Sequence, residues 1–568
     1  MRVARRAIYA VCFFSTWLTV VSCSSAPEAE VESQAAHALV TEPNCIQLED
    51  YIRGRAIAVY RAGGGLLAAP ERQLTSSAVY NESEGQTVVS NETGTYALSD
   101  GRVVALDGAG TVVKAVAVEG ISQRMVALGS IVTVVGRTEG VLPWRGRGPA
   151  MGGVPCETLG MAGDGRGTFG ADSELRSLRG PVTRITVVDM ATGLTLRSVV
   201  YEGEFVALRR VANTLHVVSR GDLYFPPVEG YKTEDEYWIA VTQQFLHEWL
   251  PRRIDTRGED SLTDQVARCE EHVLGHVDAG GGFIIGLTLN LADPTETSIN
   301  RVGLGLGYLA DIGEDSVITV YPNAWDTVGE QADTTLVHAL ALGDDGLAPL
   351  GSVEVEGNVS PNRVADFGTE IAVASHIDGQ TKVGALVKGT AGLTTGSLQP
   401  FATQSISELA QAGDELAWNL SDTLRITQWD GGANSLVSEF QSDFPVAVGA
   451  SDNGLVRITA AAAVTVSAVD GQVWNADLPQ GATVDLKTVV VRPNGATLVP
   501  YYCGDLAAGW ISLDGSPVRY LPAPSIDGEF WCGPAPAALS LTQSAPQIIG
   551  HHAVVDYGSE TMTAPVCP

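Results

Sequence analysis

The most specific chemical spacing in the chain belongs to one cysteine and two histidines. Cys269, His272 and His276 would suit a zinc site if the segment were helical, because thiolate and imidazole are common zinc ligands. No second pair with metal spacing follows them, and a disulfide would equally account for Cys269. We therefore favour a structural role for the three residues and predict no metal and no other cofactor.

Linear motifs of common catalytic sites do not occur in the sequence. It has no Gly-x-Ser-x-Gly nucleophile motif, no His-Glu-x-x-His zinc helix and no Walker phosphate loop. His551 and His552 precede a predicted strand, where one ring faces inward and the other outward. We predict no catalytic residue, although scattered carboxylates and histidines would leave no linear motif.

Three arginines stand out in a Gly-rich segment of an acidic protein. The formal net charge is −31 and 18% of the residues are charged, which suits a globular domain that repels phosphate backbones. We therefore expect no nucleic-acid partner. Arg145, Arg147 and Arg166 form either an anion-binding patch or, the interpretation that we favour, part of a solvated loop.

An amphipathic helix is predicted further along the chain. Thr233 and Glu236 have the spacing of a capping box. Apolar residues then recur at helical intervals up to Pro251, namely Trp238, Val241, Phe245, Leu246, Trp249 and Leu250. This stripe either braces the domain, as we favour, or closes a cavity as a lid, in which case Trp238 and Trp249 join the arginines in a ligand face.

A repeated β-strand unit must position these residues, and it recurs from about residue 85 onward. Each unit has a hairpin with Asp and a nearby Gly before its last strand, at Asp107, Asp189, Asp293, Asp344, Asp378, Asp430, Asp470 and Asp514. Units without insertions are separated by about 35 to 50 residues, the length of a propeller blade. We predict an all-β fold, a single β-propeller of seven or eight four-stranded blades with eight favoured. An array of β-sandwiches is the alternative.

Three stretches of the sequence carry a resemblance to a known family. They run from Thr183 to Ser219, from Thr334 to Gly357 and from Cys45 to Ile52. They resemble the secreted β-propeller domain proteins that are distantly related to WD40 repeats. The resemblance covers most of residues 45–380 and implies an extracytoplasmic propeller with a short N-terminal helix. The family has no established activity, so the resemblance implies no catalytic residues.

The predicted propeller carries two insertions, and six of its cysteines are available for disulfides. The insertions, at about 138–181 and 221–280, fall between the second and third strands of neighbouring blades and should emerge on one face. Apart from Cys12 and Cys23, the cysteines are Cys45, Cys156, Cys269, Cys503, Cys532 and Cys567, an even number that predicts disulfides in an exported chain. We favour Cys156 with Cys269 and Cys503 with Cys532, which leaves Cys45 and Cys567 to join the two ends.

The N-terminal segment has the composition of an export signal. Basic residues precede an apolar run, Ala7–Val21, that is too short to span a membrane. The run ends at Val20-Val21-Ser22-Cys23, which resembles a lipobox. We predict a signal peptide at residues 1–22 and lipid on Cys23, with ordinary cleavage near Ala26 as the alternative.

Two further segments follow the predicted lipid site. Residues 23–44 are rich in Ala, Glu, Ser and Pro and predict a flexible acidic tether. Residues 45–568 form the predicted propeller domain. Lipid would be the protein's only contact with the membrane, and the membrane would be the outer one in a Gram-negative host.

These observations predict a monomeric, extracytoplasmic lipoprotein of the cell envelope. We expect a non-catalytic binding or scaffold module for a protein, peptide or glycan, because a rigid ring carries insertions on one side. The alternative is an envelope hydrolase or lyase with its site at the mouth of the channel. A purely structural protein without a specific ligand is a third hypothesis.

Overall fold

The computed structural model describes residues 39–62, 88–139, 178–322, 334–522 and 539–556, with short gaps inside every range but the first. All of these residues lie in one compact unit, Leu39–Pro568. Its elements are mostly antiparallel β-strands, with few helices. None of the helices in the described ranges has both the length and the apolar character that crossing a membrane requires.

The described chain begins with a short strand and a helix. Strand β1 is Val40–Thr41 and helix α1 is Cys45–Arg61. Asn44 caps α1, because its Oδ1 accepts from the backbone N–H groups of Ile46 and Gln47 at 3.0 Å. The helix buries one side, which includes Leu48, Ile52 and Ala56 at intervals of four residues.

The first three sheets follow in chain order. The first contains β2 (Val88–Asn91), β3 (Gly94–Ser99), β4 (Arg102–Leu106) and β5 (Val112–Ala117). The second starts with β6 (Ile121–Leu128), β7 (Ile131–Glu139), β8 (Pro181–Asp189) and β9 (Leu194–Glu202). The third starts with β10 (Glu204–Val211) and β11 (Thr214–Gly221).

An inserted segment, residues 222–282, interrupts the third sheet. It holds α2 (Glu234–Thr242), α3 (Leu246–Trp249), β12 (Arg252–Arg257), β13 (Asp260–Gln265) and β14 (His272–Leu274), with short 3-10 turns at Val228–Gly230 and Cys269–Glu271. The third sheet then resumes with β15 (Phe283–Asn290) and β16 (Ile299–Leu304). The segment therefore starts and ends between the second and third strands of this sheet.

The remaining sheets repeat the four-stranded pattern. The fourth has β17 (Tyr308–Ile312), β18 (Ser316–Pro322), β19 (Thr334–Gly343) and β20 (Gly346–Glu356). After a 3-10 turn at Pro361–Arg363, the fifth has β21 (Val364–Asp366), β22 (Glu370–Ile377), β23 (Gln380–Gly389), β24 (Gly392–Thr395) and β25 (Gln399–Ala402). The sixth has β26 (Ile406–Ala412), β27 (Glu415–Leu420), β28 (Thr423–Asp430) and β29 (Ala433–Gln441).

Three sheets complete the described chain. The seventh has β30 (Ala447–Ser451), β31 (Gly454–Thr459), β32 (Ala463–Ala468) and β33 (Val473–Asp477). The eighth has β34 (Ala482–Val484), β35 (Val490–Val491), β36 (Thr497–Cys503), β37 (Leu506–Leu513) and β38 (Arg519–Pro522). The last has β39 (Leu539–Ser540), β40 (Gln547–Ile549) and β41 (Val554–Asp556).

Successive sheets pack on one another through the strands that begin them. β2 contacts β6, β17 contacts β21, and β21 contacts β26, which contacts β30. In the last described sheet β39 contacts β2 of the first, so the last described sheet lies beside the first. Antiparallel sheets that pack in chain order and return to the first form a β-propeller, which confirms the predicted fold class.

The core lies between neighbouring sheets. One buried cluster joins Val103 of the first sheet to Met125 and Val188 of the second. Another joins Val337 of the fourth sheet to Val373 of the fifth. A single sheet could not shelter these side chains from water, and stacking the sheets removes both faces from solvent.

A threonine and a glycine recur where one sheet passes to the next. Thr183 Oγ1 donates to Gly203 O at 2.8 Å, and Thr335 Oγ1 donates to Gly357 O at 2.7 Å. Gly203 and Gly357 have φ of 129° and 85°, which favours glycine. The sequence motif Glu-Gly therefore marks the point where an outer strand ends and the chain crosses to the next sheet.

Among the described residues the predicted hairpin positions hold with one exception; Asp470 and Asp514 lie outside the described residues. Gly193 and Gly346 have positive φ in the turns between the third and fourth strands of their sheets. Asp378 and Gly379, with φ of 50° and 73°, instead join β22 to β23, the second and third strands of the fifth sheet. Their predicted place before a last strand is wrong, because Asp-Gly suits any two-residue hairpin and does not identify its strands.

Candidate functional site

The inserted segment connects the outer edges of the second and third sheets. β12 pairs with β9 and β13 pairs with β12, which widens the second sheet to six strands. β14 runs parallel to β16 and pairs with β1, which widens the third sheet in the same way. The segment is therefore an extension of two sheets as well as a loop between two strands.

The amphipathic helix predicted in this segment is two helices. Its start is as predicted, because Glu236 N donates to Thr233 Oγ1 at 3.2 Å. The helix ends at Thr242, however, and α3 starts only at Leu246. Thr242 Oγ1 donates to Ile239 O at 2.9 Å, a local bond that competes with continuation of the helix.

The buried side of this pair of helices also differs from the predicted stripe. Trp238 is 43% exposed and Phe245 is also exposed, whereas Tyr237 is fully buried. Tyr237 stacks on Tyr60 of α1 with 4.9 Å between ring centroids. Trp249 is buried as predicted. Trp238 and Trp249, which would share a ligand face only if the helix were a lid, thus differ in exposure.

A disulfide and several hydrogen bonds hold α1 against the inserted segment. Cys45 is bonded to Cys269. Tyr51 Oη donates to Leu304 O at 3.0 Å, and Arg55 Nη1 donates to Ala279 O at 2.7 Å. The helix therefore forms one packed unit with the segment.

This disulfide corrects two predicted pairings. Cys269 does not bond to Cys156, and Cys45 does not bond to Cys567, because α1 brings Cys45 to the inserted segment. Cys503 ends β36, and its predicted pairing with Cys532 is not tested. The other predicted site residues, Cys23, Cys156, Cys532, Cys567, Arg145, Arg147 and Arg166, lie outside the described residues, as do His551 and His552.

Cys269, His272 and His276, whose spacing would also suit zinc, make three separate sets of contacts. Cys269 is in the disulfide, so it offers no thiolate. His272 is buried, which lowers its pKa to about 4, and its Nδ1 donates to Arg268 O at 2.7 Å. His276 instead stacks on Tyr321. Within the described ranges, no group of three or more His, Cys, Asp or Glu side chains could hold a metal ion.

A cavity of about 480 Å³ opens between the β12–β13 hairpin and the chain that leads into β16. We call it the hairpin cleft. Both walls are largely polar: Arg253, Asp255 and Asp264 belong to the hairpin, and Ser298 and Asn300 lie opposite. Its volume falls within the range of about 300–1,000 Å³ that is typical of small-molecule sites.

A buried ion pair forms the base of the hairpin cleft. Arg197 Nε and Nη2 donate to Asp255 Oδ1 and Oδ2 at 2.8 and 2.7 Å, and Arg257 Nη2 donates to Asp255 Oδ2 at 2.9 Å. Burial acts to raise the pKa of the Asp255 carboxyl, but the hydrogen bonds from both arginines outweigh it and the pKa is lowered. Asp255 therefore stays ionised and holds the hairpin against β9.

Two side chains in the hairpin cleft have buried polar atoms that the protein does not use. Arg253 Nη1 donates to Ser298 Oγ at 3.5 Å, whereas its Nε has no acceptor among the described residues. Burial also lowers the pKa of the Arg253 guanidinium. Asn300 is 3% exposed, and its Oδ1 has no donor in the same described part of the chain. Unsatisfied buried groups of this kind cost about 1–3 kcal/mol each.

Two carboxylates converge elsewhere, at the ends of neighbouring first strands. Asp366 N donates to Asp311 Oδ2 at 2.8 Å, and Lys388 Nζ donates to Asp366 Oδ1 at 2.6 Å. Burial, followed by the negative charge of Asp366, raises the pKa of Asp311 to about 7. Asp311 and Asp366 are 2% and 8% exposed, so the pair is buried where the two sheets meet.

Sequence reasoning missed the residues of the hairpin cleft. A signal was present in Arg252–Arg257, where Arg253, Asp255 and Arg257 alternate charge along one face of a strand. Helical periodicity does not reveal this alternation, because it belongs to a strand. Arg197 and Asn300 had no such signal, since each comes from a separate sheet strand.

Solved structures provide one comparison. BamB from Moraxella catarrhalis is 11% identical, with 75% of this chain and 94% of that chain covered and a TM-score of 0.34. Apo AztD from Citrobacter koseri is 12% identical, with 61% and 93% covered and a TM-score of 0.32. Sqt1 from Saccharomyces cerevisiae is 10% identical, with 79% and 100% covered and a TM-score of 0.32.

Curated proteins and protein families provide the other comparisons. No curated protein matches the chain. The family described as Beta propeller domain matches residues 77–364, which is just over half of the sequence. The match spans the first four described sheets and the inserted segment between β11 and β15. The chain therefore belongs to the Beta propeller domain family.

Proposed function

We propose that this protein is a non-catalytic binding propeller of the cell envelope whose ligand site is the hairpin cleft. One observation carries the proposal: the cleft is open and polar, and it contains a buried donor on Arg253 and a buried acceptor on Asn300 without partners among the described residues. A bound polar ligand would satisfy both groups. The candidate ligands are a protein, a peptide and a glycan.

The buried carboxylates do not support the alternative of a hydrolase or lyase. Such an enzyme needs acidic groups that reach its substrate. Asp311 accepts hydrogen bonds from two backbone N–H groups, and Asp366 is bonded to Lys388. These bonds keep both carboxylates in structural roles.

Ligand binding to the hairpin cleft can be tested with the full-length protein and a panel of neutral sugars, uronic acids and short peptides. Ligand-observed NMR should detect binding by at least one class. The double variant Arg253→Gln/Asn300→Ala should lose that binding, whereas Arg425→Gln, in the rim of the sixth sheet, should keep it. Equal binding by the double variant, or binding by no class, would overturn the proposal.

The envelope location rests on Cys23 and needs its own test. Lipid on this cysteine would hold the protein at a membrane through about 16 residues of tether before β1. Replacing it, Cys23→Ser, should move the protein from the membrane pellet to the soluble extracytoplasmic fraction. Retention in the pellet after this change would contradict lipid anchoring.

The number of blades is also a proposal. We propose a ring of eight four-stranded blades, with β39–β41 closing it. Support comes from the first eight described sheets, each of which has at least four strands, and from the contact between β39 and β2. An experimental structure with seven or nine equivalent blades would contradict this number.

A further inference from the structure

The hairpin presents one continuous polar face to the cleft. The strand register places Arg253 opposite Asp264, Asp255 opposite Leu262, and Arg257 opposite Asp260. Residues at alternate positions of a strand share a face, so these three pairs lie on the same side. The guanidinium groups of the arginines, which donate, and the carboxylates of the aspartates, which accept, therefore follow one another along this side. Leu262 provides an apolar position between them.

Charges in and beneath the hairpin cleft balance. Four arginines, Arg197, Arg253, Arg257 and Arg268, accompany four carboxylates, Asp255, Asp260, Asp264 and Glu271. The protein as a whole carries −31, so a balanced site differs from its surroundings. A cationic or anionic ligand would meet groups of its own sign here, and a neutral ligand would not.

The unused polar atoms define the hydrogen bonds that the ligand must make. Arg253 Nε needs an acceptor and Asn300 Oδ1 needs a donor. Ser298, which receives the bond from Arg253 across the cleft, lies two residues before Asn300, so the two unsatisfied groups lie on opposite walls near this contact. A hydroxyl group donates and accepts at once, and neighbouring hydroxyls on a ring offer several such groups at fixed spacing.

The apolar part of the cleft is small. Leu262, Val266 and Ala267 are its apolar lining residues, and the lining includes no aromatic ring. Peptide ligands are usually anchored by apolar or aromatic side chains in deep pockets, which these three residues do not form. These three apolar residues suit contact with the C–H groups on the face of a sugar-sized ring whose edge carries hydroxyl groups.

We propose that the hairpin cleft is a subsite for one neutral sugar residue of a glycan. This inference rests on the proposed function and narrows its ligand to a single class. The proposal depends on the juxtaposition of Arg253 and Asn300. Arg253 lies beside Asp264 on the hairpin, and Asn300 lies on the opposite wall of the cleft.

The test is titration of the full-length protein with the methyl glycosides of glucose, galactose, mannose and N-acetylglucosamine, followed by calorimetry and ligand-observed NMR. At least one glycoside should bind. Its dissociation constant should rise about tenfold in Arg253→Gln and in Asn300→Ala, the loss expected from one hydrogen bond to a desolvated group. Arg425→Gln should bind as the unchanged protein does.

Glucuronate and a panel of short peptides distinguish failure of this inference from failure of the proposed function. Tighter binding of glucuronate than of methyl glucoside, or cleft-dependent binding of peptides alone, would overturn the neutral-sugar subsite and leave a binding propeller. Glycoside binding that both variants retain would also overturn the subsite. No binding by any class would overturn both.

Discussion

Arg197 and Asp255 form a two-point ion pair between β9 and β12, with 0% and 4% of their side chains exposed. Breaking a buried pair from one side costs about 3–5 kcal/mol, because a charge stays behind without its partner. Asp255→Asn should therefore lower the free energy of unfolding by this amount, as measured in urea. Glu439→Gln, in the exposed pair with Arg425, should change it by less than about 1 kcal/mol. Equal effects would show that the inserted hairpin is not held by this pair.

The disulfide between Cys45 and Cys269 links residues 224 positions apart. In the chain-entropy model, closing so long a loop stabilises the folded state by about 5 kcal/mol. The double variant Cys45→Ser/Cys269→Ser should lose part of this stability and expose α1 to proteases. Peptide mapping without reductant should recover the Cys45–Cys269 peptide from the unchanged protein. A peptide joining Cys156 to Cys269 would contradict the structure.

Asp311 should make stability depend on pH between about 4 and 7. Its pKa is raised from 3.8 to about 7 in the folded protein, so the folded state binds the proton more tightly than the unfolded state. The contribution of this group is present below about pH 4 and is lost as the pH rises through 7. In Asp311→Asn the free energy of unfolding should fall less steeply with pH over this interval. The slope is the quantity to compare, because the substitution also changes the stability at any single pH. An unchanged slope would contradict the raised pKa.

Tyr237 and Trp238 are neighbours in α2 with opposite environments. Tyr237 stacks on Tyr60 and donates from Oη to Pro226 O at 3.1 Å, whereas Trp238 is 43% exposed. Tyr237→Ala should cost about 3–5 kcal/mol, and Trp238→Ala should stay within about 0.5 kcal/mol. Urea unfolding of the two variants measures the difference. The reverse order would restore the stripe predicted from the sequence.

The propeller class could be predicted from the sequence because the same hairpin pattern recurs in one sheet after another. Asp107, Asp189, Asp344 and Asp430 each mark a hairpin, and an error at Asp378 does not alter the repeat. The hairpin cleft could not be predicted in the same way. Arg197, Arg253 and Asn300 lie on different strands. The pairing of β12 with β9 brings the two arginines together, and the bond from Arg253 to Ser298 brings Asn300 close to them.

The sequence signals correctly predicted the start of the helix in the inserted segment but not its end or its buried face. The cap at Thr233 depends on residues three apart, so the sequence contains all of it. The buried face depends on where α1 lies, since Tyr60 selects Tyr237 rather than Trp238. The disulfide has the same dependence, because nothing near Cys45 in the sequence indicates Cys269.

The register of β11 with β15 runs without interruption from Thr214 and Asn290 to Gly221 and Phe283. A Cβ on Gly221 would lie 2.4 Å from the Phe283 ring, so the two strands are in close contact where the inserted segment leaves and returns. The path of 222–282 thus begins and ends at a single point on the ring. Because β12, β13 and β14 of this segment extend two blades, sequence changes confined to the exposed side of the hairpin leave those blades in place, and ligand specificity can then change independently of the scaffold.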